Sequence, residues 1–137
     1  MVAHDNQDSR MEKWIRQYVK AWISSDAADI RALFADDADY YREPFAEPWS
    51  GLGEIIYEWQ RIGDSGLEWS LEHAVVTDCD DLGVVRVVTR YLANDFEPGR
   101  EYHSVWLVRF DGDGRAREFT EWRVEMQATP SLTAYMV

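Results

Sequence analysis

The sequence predicts an α+β domain in which three helices come first and a curved, mostly antiparallel sheet follows. Three observations predict it. Apolar residues recur at helical spacing in three segments before Gly63. After Gly66 the apolar period drops from 3.6 to 2 and holds that value for several long runs. Asp111-Gly-Asp-Gly114 then joins the last two of those runs in hairpin chemistry. Helices gathered ahead of such strands cover one face of the sheet.

Met11, Trp14, Ile15, Tyr18, Val19, Trp22 and Ile23 make one apolar stripe on a first helix, with Glu12, Lys13, Arg16, Gln17 and Lys20 on its wet side. Ser24-Ser25-Asp26 ends it, and Asp26 is placed to cap a second helix, with Asp29 three residues on as in a capping box. Ile30, Leu33 and Phe34 form that helix's buried side, and Asp36-Asp37 breaks it ahead of a short strand over 38–42. Two prolines make Glu43-Pro-Phe-Ala-Glu-Pro-Trp49 irregular. Ser50 is the expected cap of a third helix burying Leu52, Ile55, Ile56, Trp59 and Ile62. Strands follow: Leu67, Trp69, Leu71, His73 and Val75 share the apolar side of the first, and the others span 84–93, 102–110 and 115–126. Residues 1–9 read as a flexible tail, 10–127 as the domain and 128–137 as a C-terminal arm.

Composition narrows the function. Fourteen Lys and Arg against 26 Asp and Glu give a net charge of −12, which repels phosphate backbones and disfavours nucleic acid. The lone Cys79 forms no intramolecular disulfide and no cysteine-cluster metal site, and its flanking aspartates disfavour a thiolate. No HxH, HExxH, GxGxxG or P-loop pattern occurs, so no metal or cofactor is expected. The first residues lack an apolar signal-peptide core, and no window reaches the roughly 18 apolar residues of a membrane span. A soluble, cytoplasmic, single-domain protein without a membrane role is the expectation. Seven Trp, seven Tyr and five Phe exceed what a small core needs, so they either line a cavity for a small hydrophobic molecule or fill the interior solidly.

The run RQYVKAW…DAADIRALFADDADYYREPFAEPWSGLGEI resembles the N-terminal half of the SnoaL-like branch of the nuclear-transport-factor-2-like (NTF2-like) superfamily, with its nearest echo in bacterial ketosteroid isomerases. The likeness extends over about residues 11–127. It implies a cone, three helices closing over a bent sheet around a deep and mostly apolar pocket. It also implies pairing of subunits through the outer face of the sheet. The superfamily hosts isomerases, polyketide cyclases, dehydratases, epoxide hydrolases and plain binding modules, so the resemblance does not select one of them.

By that resemblance Tyr18 takes the place of the tyrosine that donates to a developing enolate; read from the helix alone, it is a core tyrosine with its hydroxyl at the rim. Glu43-Pro44 follows the strand as the isomerases' Asp-Pro does, with a one-residue shift, which makes Glu43 a candidate base; a solvated loop glutamate is the other reading. Trp106 falls where those enzymes hold a protonated aspartic acid, a departure that argues against steroid isomerisation itself. Tyr102, Ser104, Trp106, Val108 and Phe110 share a strand side that the resemblance turns toward the pocket, together with Phe119, Glu121 and Arg123 of the last strand. Hydrophobicity alone would bury Ala116, Trp122, Val124 and Met126; both hold if a second subunit covers Trp122, Val124 and Met126 in a homodimer. Arg86 and Arg90 are left with two readings, a pocket ion pair with Glu121 or Glu118, or a structural pair on the outer face. His73 reads as a satisfied core residue, and His103 as a base only if the strand parity is reversed.

The expected catalytic set is therefore Tyr18 with Glu43 or Glu121. Trp14, Trp22, Tyr40, Trp59, Arg90, Ser104, Trp106, Phe119 and Arg123 are the expected lining. The expected activity is cofactor-independent proton transfer on a hydrophobic carbonyl compound, as in an isomerase, cyclase or dehydratase. A non-catalytic domain for a small apolar or aromatic ligand is the alternative. The two differ in whether a tyrosine and a carboxylate meet in one cavity.

Overall fold

The computed structural model describes residues 9–63, 68–96 and 98–126. The proposed N-terminal tail up to Asp8, the strand position Leu67 and the C-terminal arm lie outside them.

Among the described residues nine elements follow one another: α1 (Arg10–Ser24), α2 (Ala27–Arg31), β1 (Phe34–Tyr41), β2 (Trp49–Ser50), α3 (Leu52–Ile62), β3 (Trp69–Cys79), β4 (Leu82–Tyr91), β5 (Arg100–Phe110) and β6 (Ala116–Glu125). The six strands form one sheet in the order β2-β1-β6-β5-β4-β3. Every pairing is antiparallel except β1 with β6.

Helix α1 starts where Ser9 accepts a hydrogen bond from the Glu12 N–H at 3.2 Å. Asp78, from the end of β3, braces the same terminus: its carboxylate accepts from the Met11 N–H at 3.0 Å and from the Arg10 guanidinium. Met11, Trp14 and Ile15 are buried as the stripe requires, whereas Ile23 is largely exposed because the helix is ending there. Asp26 caps α2 by accepting from the Ala28 N–H at 2.7 Å. Asp29 does not reach back to it; the Ser24 hydroxyl donates to Asp29 and accepts from the Asp26 N–H instead.

Three boundaries differ from the sequence reading. Strand β1 begins at Phe34, not at residue 38, because Ala116 N–H donates to the Leu33 carbonyl at 2.7 Å and draws the chain onto β6. Asp36 and Asp37, read as a break, sit exposed where the register of that pair shifts. Ser50 belongs to β2, opposite Asp39, and α3 is capped by Gly51, whose φ of 89° suits only glycine.

The core lies between the helices and the inner face of the sheet. Val85 and Val87 of β4, Ser104, Trp106, Val108 and Phe110 of β5, and Ala116 and Phe119 of β6 are buried. A register shift at Arg109/Phe110 lets even-numbered Ala116 and odd-numbered Phe119 face the same way. That shift reconciles the two opposing readings of the last strand: Phe119 is buried, while Trp122 and Val124 are exposed on the outer face at 47% and 65%. Val105 of β5 and Met126, just past β6, are also exposed large apolar residues. No helix among the described residues is long and apolar enough to cross a membrane.

Candidate functional site

Aromatic rings fill much of the interior. Trp49, Tyr40, Phe119 and Trp14 stack in sequence, with centroids 4.7, 4.6 and 5.8 Å apart. Trp59 closes against Tyr18 and Trp22, both at 5.3 Å. Trp14 is anchored by its indole N–H, which donates to the Leu33 carbonyl at 3.0 Å. The Trp59 indole N–H is buried without an acceptor among the described residues.

Above this packed layer a cavity of about 150 Å³ remains, lined by Tyr18 and Trp22 of α1, Arg42 after β1, Ile62 of α3, Trp69 and Leu71 of β3, Thr89 and Tyr91 of β4, Tyr102 and Trp106 of β5, and Glu121 and Arg123 of β6. Each comes from a simple local pattern. Alternation on β6 puts Glu121 and Arg123 on one face, and pairing sets Glu121 opposite Trp106. The Trp106 indole N–H donates to Glu121 Oε2 at 3.0 Å and holds the carboxylate at the cavity wall. The Tyr18 ring packs on Trp106 with centroids 4.5 Å apart.

The Tyr18 and Tyr40 hydroxyls are hydrogen-bonded to each other. Burial, followed by the neighbouring Tyr40 and Glu121, pushes the Tyr18 phenol well above the usual tyrosine range. Burial likewise raises Tyr40, with Glu121 adding to it and the bond with Tyr18, Arg42 and Arg123 opposing it. Both phenols therefore stay protonated around neutral pH and are available as donors.

The sequence-derived site is partly assembled. Tyr18, Trp22, Trp106, Glu121 and Arg123 line the cavity together. Trp14, Tyr40, Trp59 and Phe119 lie in the packed layer beneath it instead, because their rings stack on one another. Ser104 is buried and does not line it. Glu43 is exposed on the proline loop, outside the cavity, and its carbonyl accepts the Ala46 N–H in a turn.

Arg90 sits on the other side of the sheet, opposite Glu101, and binds Glu101 and Glu72 at 2.9 and 3.0 Å, not Glu121 or Glu118. Those two partners raise the Arg90 guanidinium pKa, Glu72 foremost. His103 joins this outer cluster through Glu101 at 2.7 Å. His73 is not a core residue: its Nε2 meets the Glu12 carboxylate of α1 at 2.9 Å.

Sequence reasoning missed Arg42, Ile62, Trp69, Leu71, Thr89 and Tyr91 as lining, while parity set Tyr102 on the pocket side of β5 together with Trp106. Strand parity already carried the signal for Trp69, Leu71, Thr89 and Tyr91. Among the described residues no cluster of His, Cys, Asp and Glu is arranged to hold a metal ion.

Known structures share this architecture. An NTF2-like protein of unknown function from Burkholderia pseudomallei superposes with a TM-score of 0.67 at 19% identity, over 93% of this chain and 95% of that one. A ketosteroid isomerase-like protein from Erwinia carotovora atroseptica gives 0.60 at 18% identity, over 82% and 92%. A protein of unknown function with a cystatin-like fold from Methylobium petroleophilum gives 0.65 at 22%, over 87% and 78%. At these identities the likeness establishes a shared fold, the NTF2-like α+β class. The profile of the SnoaL-like domain matches residues 15–130, so the chain is a member of the SnoaL-like family. No protein of curated function matches it in sequence.

Proposed function

We propose that this SnoaL-like protein catalyses cofactor-independent proton transfer on a small hydrophobic carbonyl compound held in the Trp22–Trp106 cavity. The observation that carries this reading is the meeting of the Glu121 carboxylate and the Tyr18 phenol in one cavity wall, with the Trp106 indole fixing the carboxylate.

The roles follow from the donor inventory. Glu121 Oε2 takes the indole N–H, leaving Oε1 to accept a proton from the carbon beside the carbonyl. The developing enolate oxygen takes a hydrogen bond from Tyr18. With Tyr40 donating to the Tyr18 oxygen, the two phenols act in series on the same enolate oxygen. Glu121 returns the proton to carbon, at the original position or a conjugated one. Trp106, in this scheme, holds the base instead of contacting the oxyanion, and that accounts for a tryptophan where the isomerases place an acid. Glu43, outside the cavity, takes no part.

The aromatic walls (Trp22, Trp69, Tyr91, Tyr102 and Trp106) support a second reading, a binding domain that holds a ring and performs no chemistry. Deuterium exchange separates the two. Incubating single-ring ketones such as acetophenone with the protein in heavy water, proton spectra should show loss of the signal beside the carbonyl faster than in buffer. Glu121→Gln and Tyr18→Phe should each slow it by about 10²–10³. Binding without exchange in the unsubstituted chain would leave the domain as a binder. We also propose that the outer sheet face, with Val105, Trp122, Val124 and Met126 exposed, pairs with a second copy of the chain.

A further inference from the structure

The cavity carries an unbalanced pair of cations. Arg42 and Arg123 both line it, and neither forms an ion pair or a side-chain hydrogen bond with any described residue. Each instead lies over a ring face, Arg42 at 5.5 Å from the Trp49 centroid and Arg123 at 4.6 Å from that of Tyr102. Stacking on a ring face leaves the in-plane N–H groups of a guanidinium free to donate to water or to a ligand. In a chain of net charge −12 this is uncommon company: Arg10, Arg61, Arg90, Arg109, Arg115 and Arg117 all reach carboxylates. Arg31 and Arg86 also reach none and, like Arg42 and Arg123, are exposed, but they lie away from this cavity, Arg31 at the end of α2 and Arg86 on the outer face of the sheet. The charges of Arg42 and Arg123 both act on the Tyr40 phenol beneath the cavity, and that of Arg42 also acts on the Glu58 carboxylate. Against them the cavity offers one carboxylate, Glu121, already tied to an indole.

We infer that the ligand of this cavity is an anion, a single-ring carboxylate whose acid group is gripped by Arg42 and Arg123 while its ring lies among Trp22, Trp69 and Trp106. This rests on the proposed site and deepens it by naming the substrate class. Two guanidinium forks on the wall of one cavity suit a carboxylate in donor pattern and charge. The size of the hollow sets the remainder of the molecule: a cavity of about 150 Å³ takes one ring, as an engineered apolar cavity of that size takes benzene. A four-ring steroid does not fit such a volume.

The test is calorimetric titration of the full chain with 3-phenylpropanoate and with its neutral counterpart 3-phenylpropanamide. The acid should bind at least about tenfold tighter than the amide, and the preference should shrink as salt is added. Arg42→Gln and Arg123→Gln should each weaken the acid by about five- to tenfold and leave the amide unchanged. Arg86→Gln, on the outer face, should alter neither and controls for net charge. Equal affinity for acid and amide would overturn the inference, as would binding of neither, or an equal loss in the Arg86 variant. The titration reads only charge selection, whereas the deuterium exchange described above reads chemistry, so failure of one is distinguishable from failure of the other.

Discussion

Two buried tryptophans under the cavity make opposite hydrogen-bond arrangements, and replacing each by phenylalanine separates the effect of the indole N–H from that of the ring. Both are nearly inaccessible, Trp14 at 4% and Trp59 at 1%. Trp→Phe removes roughly 40 Å³ in either place, which at about 24 cal/mol per Å³ costs about 1 kcal/mol where the surroundings do not collapse. Trp14→Phe also loses the bond to the Leu33 carbonyl, worth about 1 kcal/mol; that oxygen keeps the Ala116 N–H and is not orphaned. Trp59→Phe loses no bond and removes a buried donor without an acceptor, which returns about 1–3 kcal/mol. The predicted outcomes are therefore a cost of about 2 kcal/mol for Trp14→Phe and, for Trp59→Phe, anything from no change to a gain of about 2 kcal/mol. Urea unfolding followed by far-ultraviolet circular dichroism, with m-values unchanged, reads the difference. Equal costs, or a larger one at Trp59, would refute the assignment of Trp59 as an unsatisfied donor.

Alkaline titration tests the two coupled phenols. Tyr18 and Tyr40 have folded pKa values raised above 10.0, so above about pH 10 the unfolded chain releases two protons that the folded chain retains. Their contribution is complete below pH 10 and stability falls as pH rises beyond it, by at most about 2.7 kcal/mol per pH unit; Tyr40→Phe should roughly halve that slope in unfolding measurements. Gly83→Ala places a methyl group against the Met11 sulfur and 3.1 Å from Phe110, both fully packed, and should cost about 1–3 kcal/mol by thermal unfolding. Asp78→Ala strips the Met11 N–H and the Arg10 guanidinium of their shared acceptor and should cost about 1–3 kcal/mol, with amide exchange accelerating first in the opening turn of α1.

The elements were legible because periodicity is dictated by the chain itself. A stripe at 3.6-residue spacing in α1 and α3 and alternation in β3 to β6 leave few other ways to bury the same side chains. The site was less legible, for reasons that trace to particular residues. Parity within β5 correctly sent Trp106 inward, but the same parity for β6 conflicted with hydrophobicity until the register shift at Arg109/Phe110 was seen. Arg90 carried two readings because a charge amid β-branched residues suits a pocket as well as an outer face; only its pairing with Glu101 decides. Tyr40, Trp59 and Phe119 look like cavity residues in a list of aromatics, and ring stacking turns them into filler. Arg42 was invisible because its place depends on where β1 ends, and β1 is held by pairing with β6 from the far end of the chain.

The account rests on a carbonyl oxygen meeting the Tyr18 hydroxyl beside Glu121. Isotope-edited infrared spectroscopy of 3-benzoylpropanoate labelled with carbon-13 at its ketone reads that contact directly. On binding, the ketone stretch should move to lower frequency, and Tyr18→Phe should return it toward the free value while the ligand stays bound. A stretch unchanged on binding, or a shift that persists in Tyr18→Phe, would contradict it.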